Sequence, residues 1–63
     1  MRLREFVAKG FGNVPLRIVD TYKSALMTGT PEELIGSPDM LMWGSCMVTG
    51  YTFDNGWLVV SVW

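Results

Sequence analysis

The chain has 63 residues, of which 49% are hydrophobic and 17% are charged, with a net charge of −1 and no histidine. This length predicts one small domain, residues 1–63, and the composition excludes both a disordered chain and a broad basic face for duplex nucleic acid. The single Cys46 excludes an intrachain disulfide, and one cysteine without histidine cannot form a structural zinc site. A domain this small buries only about 60% of its unfolded surface, so we expect self-association to contribute to its stability.

The first residues predict a short helix over positions 2–9. Leu3, Phe6 and Val7 share one helical face, and Gly10 is a natural end for the helix. No long apolar segment follows the basic start, and no run approaches the roughly 20 residues of a membrane span. We therefore expect no membrane partner and a location in a reducing cytosol.

Residues 14–20 predict a strand because β-branched and apolar residues alternate along it. Leu16 and Ile18 would lie on one face, and Arg17 and Val19 on the other. A polar turn over residues 20–24 follows.

Tyr22 lies near the tip of that turn, beside Lys23. Residues 25–27 return as a candidate second strand, antiparallel to the first. The sequence signal for this hairpin is weaker than the signal for the C-terminal hairpin.

Two short helices follow in the middle of the chain. Thr30 can cap the first, Glu33 completes a capping box with it, and Gly36 ends it. Ser37 can cap the second, a single turn that Gly44 closes.

The last third of the chain predicts a β-hairpin. Two runs rich in β-branched and aromatic residues, 47–53 and 57–63, flank the segment Asp54-Asn55-Gly56. An Asn-Gly pair in this setting is the strongest short-range hairpin signal, because both residues tolerate the positive φ of a type I′ turn.

The length of the turn decides the register of that hairpin. A two-residue turn pairs Asp54 with Trp57 and Thr49 with Val62. A three-residue loop with a glycine bulge would instead pair Phe53 with Trp57, and would move the last strand to the opposite face relative to its partner.

Together these elements predict an α+β fold. It consists of a small antiparallel sheet of about four strands, a short N-terminal helix, short helical turns in the middle and a C-terminal β-hairpin. The segment 57–63 contains a single polar residue, Ser61, so both of its faces need cover. Either another part of the chain supplies the second cover, or a second copy or partner docks on Trp57, Val59 and Trp63.

The charges are unevenly distributed: all five basic residues lie in the first 23 positions, and the rest of the chain carries four acids and no base. One interpretation is a set of solvated faces. The other is an anion or phosphate site in which Arg17 combines with the Arg2 and Arg4 end. Aromatic planes that could stack on a base are available at three positions: Tyr22, Trp43 and Trp57.

No sequence motif of an enzyme is present. The chain contains no phosphate-binding loop, no paired dinucleotide glycines, no metal-ligand cluster and no catalytic triad. Each carboxylate has a structural interpretation in a helix start, a strand end or a turn. We therefore expect a non-enzymatic protein without a cofactor.

Three stretches carry a resemblance: Leu3-Arg4-Glu5-Phe6, the segment 14–20 and the segment 29–34, together with the valine-rich closing hairpin. In combination they resemble small α+β proteins encoded by bacteriophages. The resemblance implies an early phage protein that acts in the cytosol of the host. Many such proteins counter host defence, either by occluding a host effector or by sequestering a nucleotide immune signal in an oligomeric pocket.

Three functional hypotheses follow. The first is a homo-oligomer that sequesters a nucleotide-derived signal, with Arg17 at a phosphate. The second is a protein–protein inhibitor that docks through the apolar face of its C-terminal hairpin. The third is a structural module whose hydrophobic strand serves assembly alone.

Overall fold

A computed structural model describes residues 1–9 and 12–63 of the chain. The elements in chain order are α1 (Leu3–Ala8), β1 (Leu16–Val19), β2 (Ala25–Gly29), α2 (Pro31–Ile35), α3 (Pro38–Trp43), β3 (Val48–Asp54) and β4 (Trp57–Val62). This confirms the predicted α+β class, with β2 extending two residues beyond the predicted strand. Gly10, which is predicted to end α1, lies outside the described residues.

The four strands form one mixed sheet in the order β2-β1-β4-β3. The pairs β1–β2 and β3–β4 are antiparallel, as predicted, but β4 lies between β1 and β3 and runs parallel to β1. The central pair therefore departs from the antiparallel sheet that the sequence predicts. A strand that is apolar on both faces is best buried in the middle of a sheet. The long segment between β1 and β4 provides the crossover that a parallel pair requires.

The closing hairpin has the two-residue turn. Asn55 and Gly56 have φ angles of 52° and 84°, the positive values that a type I′ turn needs. Asp54 pairs with Trp57. This pairing confirms the two-residue register and excludes the three-residue loop.

The far end of the hairpin differs from the predicted register. A bulge lies between Val48 and Gly50, so Val48 rather than Thr49 pairs with Val62. The Thr49 hydroxyl donates to the Ser61 carbonyl oxygen at 3.2 Å. The bulge lets the apolar Val48 pack against the core and leaves the polar Thr49 exposed.

The helices pack on one face of the sheet and enclose a single hydrophobic core. α1 contributes its predicted face, Leu3, Phe6 and Val7, all of which are buried. The remaining buried members come from the strands and the two central helices: Leu16, Ile18, Met27, Leu34, Met40, Leu58, Val60 and Val62.

Side-chain caps begin the two central helices, as predicted. Thr30 and Glu33 form a capping box, in which Glu33 Oε1 accepts the Thr30 backbone N–H at 2.8 Å. These hydrogen bonds, first from the backbone and then from the hydroxyl of Thr30, lower the pKa of Glu33. Ser37 Oγ accepts the Asp39 N–H at 3.1 Å. In the described part of the chain, no helix is long and apolar enough to cross a membrane.

The other face of the sheet has no described helix packed on it, because the buried side chains of α1, α2 and α3 face the core. We call it the open face. It carries alternate side chains of the three adjacent strands β1, β4 and β3: Arg17, Val19, Thr52, Asp54, Trp57, Val59 and Ser61. The sequence raises the question of what covers the second side of β4, and within the described residues no helix does.

Candidate ligand-binding site

The open face has an arginine stacked on a tryptophan at its centre. Arg17 lies opposite Val59 in the parallel pair of β1 and β4, and its guanidinium carbon is 4.8 Å from the centroid of the Trp57 ring. A cation at this distance is attracted to the negative face of an indole. Arg17 as a whole residue is half-buried.

The Arg17 guanidinium makes no hydrogen bond or ion pair with another described side chain or carbonyl. Its N–H donors are therefore available for solvent or for a bound anion. Arginine presents these donors as a planar fork that matches the oxygens of phosphate or carboxylate. The contact with Trp57 orients the Arg17 guanidinium and leaves its N–H groups free to donate hydrogen bonds to a ligand.

A shallow groove of about 490 Å³ is lined by Arg17 of this pair but not by Trp57. Arg17, Val19, Val59 and Ser61 form part of its lining, and the β1–β2 turn contributes Lys23. The groove volume falls within the range of small-molecule sites, about 300–1,000 Å³. Its mixture of apolar floor and cationic rim suits an amphipathic anion.

β3 forms the other wall of the groove through Thr52, Phe53 and Asp54. Neither Lys23 nor Asp54 has a side-chain partner among the described residues. Two cations and one carboxylate therefore line the groove, and the carboxylate lies at the end where Asp54 pairs with Trp57. An anionic group is favoured at the Lys23 side, and hydrogen-bond donors are favoured near Asp54.

The other two aromatic candidates do not join Arg17 and Trp57. Tyr22 is 87% exposed in the β1–β2 turn, one residue from Lys23, and does not line the groove. Trp43 ends α3 and packs against the core, so it lies on the side of the sheet opposite Arg17. The sequence shows these residues as aromatic, but only the strand order decides which of them meets the cation.

The predicted combination of Arg17 with the Arg2 and Arg4 end is wrong. Arg2 Nη1 donates to the Ser45 carbonyl at 2.6 Å. Arg4 lines a separate cleft of about 210 Å³ on the helix side, together with Ile35. The sheet separates these residues from Arg17, and Lys23 takes their place as the second cation.

The three residues predicted as an interface lie along one row of β4. Trp57 and Val59 are half-buried, whereas Trp63 is 77% exposed beyond the end of the strand. The backbone of Trp63 pairs with that of Met47 through two hydrogen bonds. Met47 is 43% exposed, so this end of the open face is apolar and accessible.

Lys23, Thr52 and Ser61 line the groove but were not among the sequence candidates. Alternation along the hairpin places Thr52 and Ser61 on the same face as Trp57. The hairpin register is therefore sufficient to identify these two residues. Lys23 carries no such signal, because it depends on how the β1–β2 turn folds. That residue has a φ of 65°, and Asp20 Oδ1 holds the turn by accepting the N–H groups of Tyr22 and Ser24.

The described residues contain no group of three or more His, Cys, Asp or Glu side chains placed to hold a metal ion. The free Cys46 is half-buried and packs against the core.

Comparison of the chain with protein-family models, with curated proteins and with solved structures found no match. The site is therefore interpreted from its own geometry.

Proposed function

We propose that the chain is a non-enzymatic binding protein that holds a nucleotide-derived ligand on its open face. The observation that carries the proposal is the Arg17–Trp57 pair: a guanidinium with unused donors, stacked on an indole beside a groove of about 490 Å³. Arginine is well suited to phosphate, and aromatic rings stack on bases with little regard to base identity.

The charges of the groove suggest an orientation for the ligand. A phosphate is placed between Arg17 and Lys23, where the two cations attract it. A ribose or base edge is placed toward Asp54, whose carboxylate accepts hydrogen bonds from hydroxyl or amino groups. Val19 and Val59 supply the apolar floor between these ends.

The resemblance to phage proteins suggests the biological setting. In that setting the ligand is a nucleotide-derived immune signal of the host, and the chain sequesters it in the host cytosol within a homo-oligomeric pocket. Sequestration requires binding and enclosure but no catalytic group.

A thermal-melting experiment tests this function. The protein is melted with a panel of nucleoside mono- and diphosphates, cyclic dinucleotides and ADP-ribose. At a concentration 100 times its Kd, a ligand of the folded state adds about 2.7 kcal/mol to the free energy of unfolding. In a domain this small, that corresponds to an increase in Tm of roughly 10 °C or more.

Arg17→Gln removes the guanidinium and is expected to abolish the increase in Tm. Lys9→Gln removes one positive charge from an exposed position at the end of α1 and is expected to retain it. No increase in Tm for any member of the panel, or an equal increase in both variants, would contradict the proposal.

A second function is favoured by the apolar end of the open face. Trp63 and Met47 are exposed side by side beyond the groove, as expected of a surface that occludes a host protein. A pull-down tests this function. A host protein is expected to co-purify with the wild type and with Arg17→Gln, but not with Trp57→Ala or with Trp63→Ala. Retention that depends on Arg17 alone would count against docking at this end.

A further inference from the structure

Among residues 1–9 and 12–63, the contacts that cover the outer edge of β3 lie at its beginning. The Val48 N–H donates to the Met1 carbonyl at 2.8 Å, and Arg2 forms an antiparallel bridge with Met47. Beyond this point, over residues 49–54, no described strand pairs with β3 on its outer side, because β3 is the last strand of the sheet. A row of backbone donors and acceptors is therefore left without a strand partner.

The features that usually prevent strand addition are confined to the two ends of this edge, where a bulge lies between Val48 and Gly50 and Asp54 carries a charge. The edge contains no lysine or proline over residues 48–54. Tyr51 and Phe53 are 63% and 67% exposed, and they lie on the helix side of the sheet, opposite Val60 and Leu58. The Tyr51 ring meets the buried Phe6 ring at a centroid distance of 5.4 Å, so the exposed aromatic strip continues the core.

We infer that a second copy of the chain pairs with this edge, β3 against β3 and antiparallel, to form one continuous eight-stranded sheet. In a two-residue hairpin, Asp54 and Trp57 direct their backbone groups toward each other. Alternation then directs the backbone groups of Tyr51 and Phe53 outward. A two-fold axis at Tyr51 pairs this residue with the partner's Tyr51, and Phe53 with the partner's Thr49.

The N-terminus sets this register and adds charge complementarity. Met1 and Arg2 occupy the outer edge at Met47 and Val48, so the incoming strand can extend only as far as position 49. Its turn end, which carries Asp54, then meets the partner's Arg2, whose side chain is positively charged. The two-fold axis repeats this favourable contact on the other side of the pair.

The exposed rings give an approximate size for this interface. Two-thirds of Tyr51 and Phe53 in each of two copies amount to roughly 500 Å² of aromatic surface, and the paired backbones add to it. The rings alone cover less than half of the roughly 1,200 Å² at which stable interfaces begin, so the pair is expected to be weak. We therefore expect a dimer with a dissociation constant on the order of micromolar.

The pairing also adds to the proposed ligand site, and this step rests on the proposed function. Antiparallel pairing keeps like faces together, so both open faces lie on the same side of the joined sheet. Thr52 lines the groove, and the space above Gly50 is empty. The partner's Gly50 next to Thr52 therefore extends the groove floor across the seam. Five strand spacings separate the two Arg17 positions by roughly 24 Å, so each chain binds its own nucleotide.

Sedimentation equilibrium between about 1 and about 500 µM tests the pairing. The wild type is expected to change from one to two copies of the 7.1 kDa chain over this range. Tyr51→Lys places a charge on the seam and is expected to remain monomeric throughout. Tyr22→Lys makes the same substitution at an exposed turn outside the edge and is expected to dimerise as the wild type does.

Amide hydrogen exchange of the wild type provides a second test that does not depend on the folding of a variant. The outward-pointing amides of Tyr51 and Phe53 face solvent in the monomer and the partner strand in the dimer, so dimerisation is expected to slow their exchange by about tenfold or more. A wild type that remains monomeric at the highest concentration, or a dimer in which these two amides exchange as fast as in the monomer, would overturn the inference. If pairing fails while Arg17-dependent nucleotide binding persists, the proposed function stands without it; if nucleotide binding fails while the amides are protected, only the pairing stands.

Discussion

At the residue scale, one contact determines the character of the open face. Arg17 and Val19 alternate with the core residues of β1, as the sequence predicts, and this alternation alone places a cation on the outer face. The stacking partner could not be chosen from the sequence, because Trp43 and Trp57 are equally aromatic there. The choice depends on β4 lying beside β1, which is a long-range pairing.

The Glu33 capping box makes a pH-dependent contribution to stability. Because hydrogen bonds from Thr30 lower the folded-state pKa of Glu33 below its ordinary value of 4.5, the contribution is present above pH 4.5 and is lost as the pH falls through the folded-state pKa. Glu33→Ala is therefore expected to lower the urea midpoint at neutral pH, and to have a smaller effect in acid.

Glu32→Ala is the matched control for this change. Glu32 lies in the same first turn of α2 and shares the helix-dipole effect, but it makes no hydrogen bond to Thr30. Urea unfolding at about pH 7 and at about pH 3 compares the two variants. If Glu33→Ala lowers the urea midpoint as much in acid as at neutral pH, the lowered pKa of Glu33 does not contribute to stability.

At the element scale, the closing hairpin depends on the backbone of its turn. Gly56 has a φ of 84°, and an L-residue in the left-handed region costs about 1–2 kcal/mol. Gly56→Ala is therefore expected to lower Tm by roughly 4–8 °C per kcal/mol lost.

Gly36 offers a control for the loss of a glycine. Its φ is −87° at the end of α2, and the nearest atom to an added Cβ is 4.0 Å away. Gly36→Ala should therefore leave Tm unchanged or slightly higher. An equal loss of Tm in both variants would show that the turn conformation is not the cause.

Local signals were sufficient to predict every helix and strand. The Thr30 and Ser37 caps, the turn at Asn55 and Gly56, and the alternation along β1 each act within a few residues. The bulge at Val48 and the parallel pair were not predictable in this way. Both depend on how the whole hairpin meets the core, and neither has a signal within its own segment.

At the scale of the whole molecule, the three short helices of the described residues cover one face of the sheet and leave the other face open. The excess of apolar residues in β4 indicates that its second side needs cover, and no described helix supplies it. The proposed ligand would cover part of that side, whereas the proposed second copy buries area along the edge of β3. The proposed groove on the open face and the proposed seam along β3 meet at Thr52.

We propose that the ligand binds to the open face and not to the helix side. A nuclear magnetic resonance titration with the nucleotide panel tests this proposal directly, because the three tryptophan indole N–H signals report on separate places. We predict saturable shifts of the Trp57 indole and of the Val59 and Ser61 amides, with the Trp43 indole unchanged. Shifts centred on Trp43, or no shift with any nucleotide, would contradict the claim.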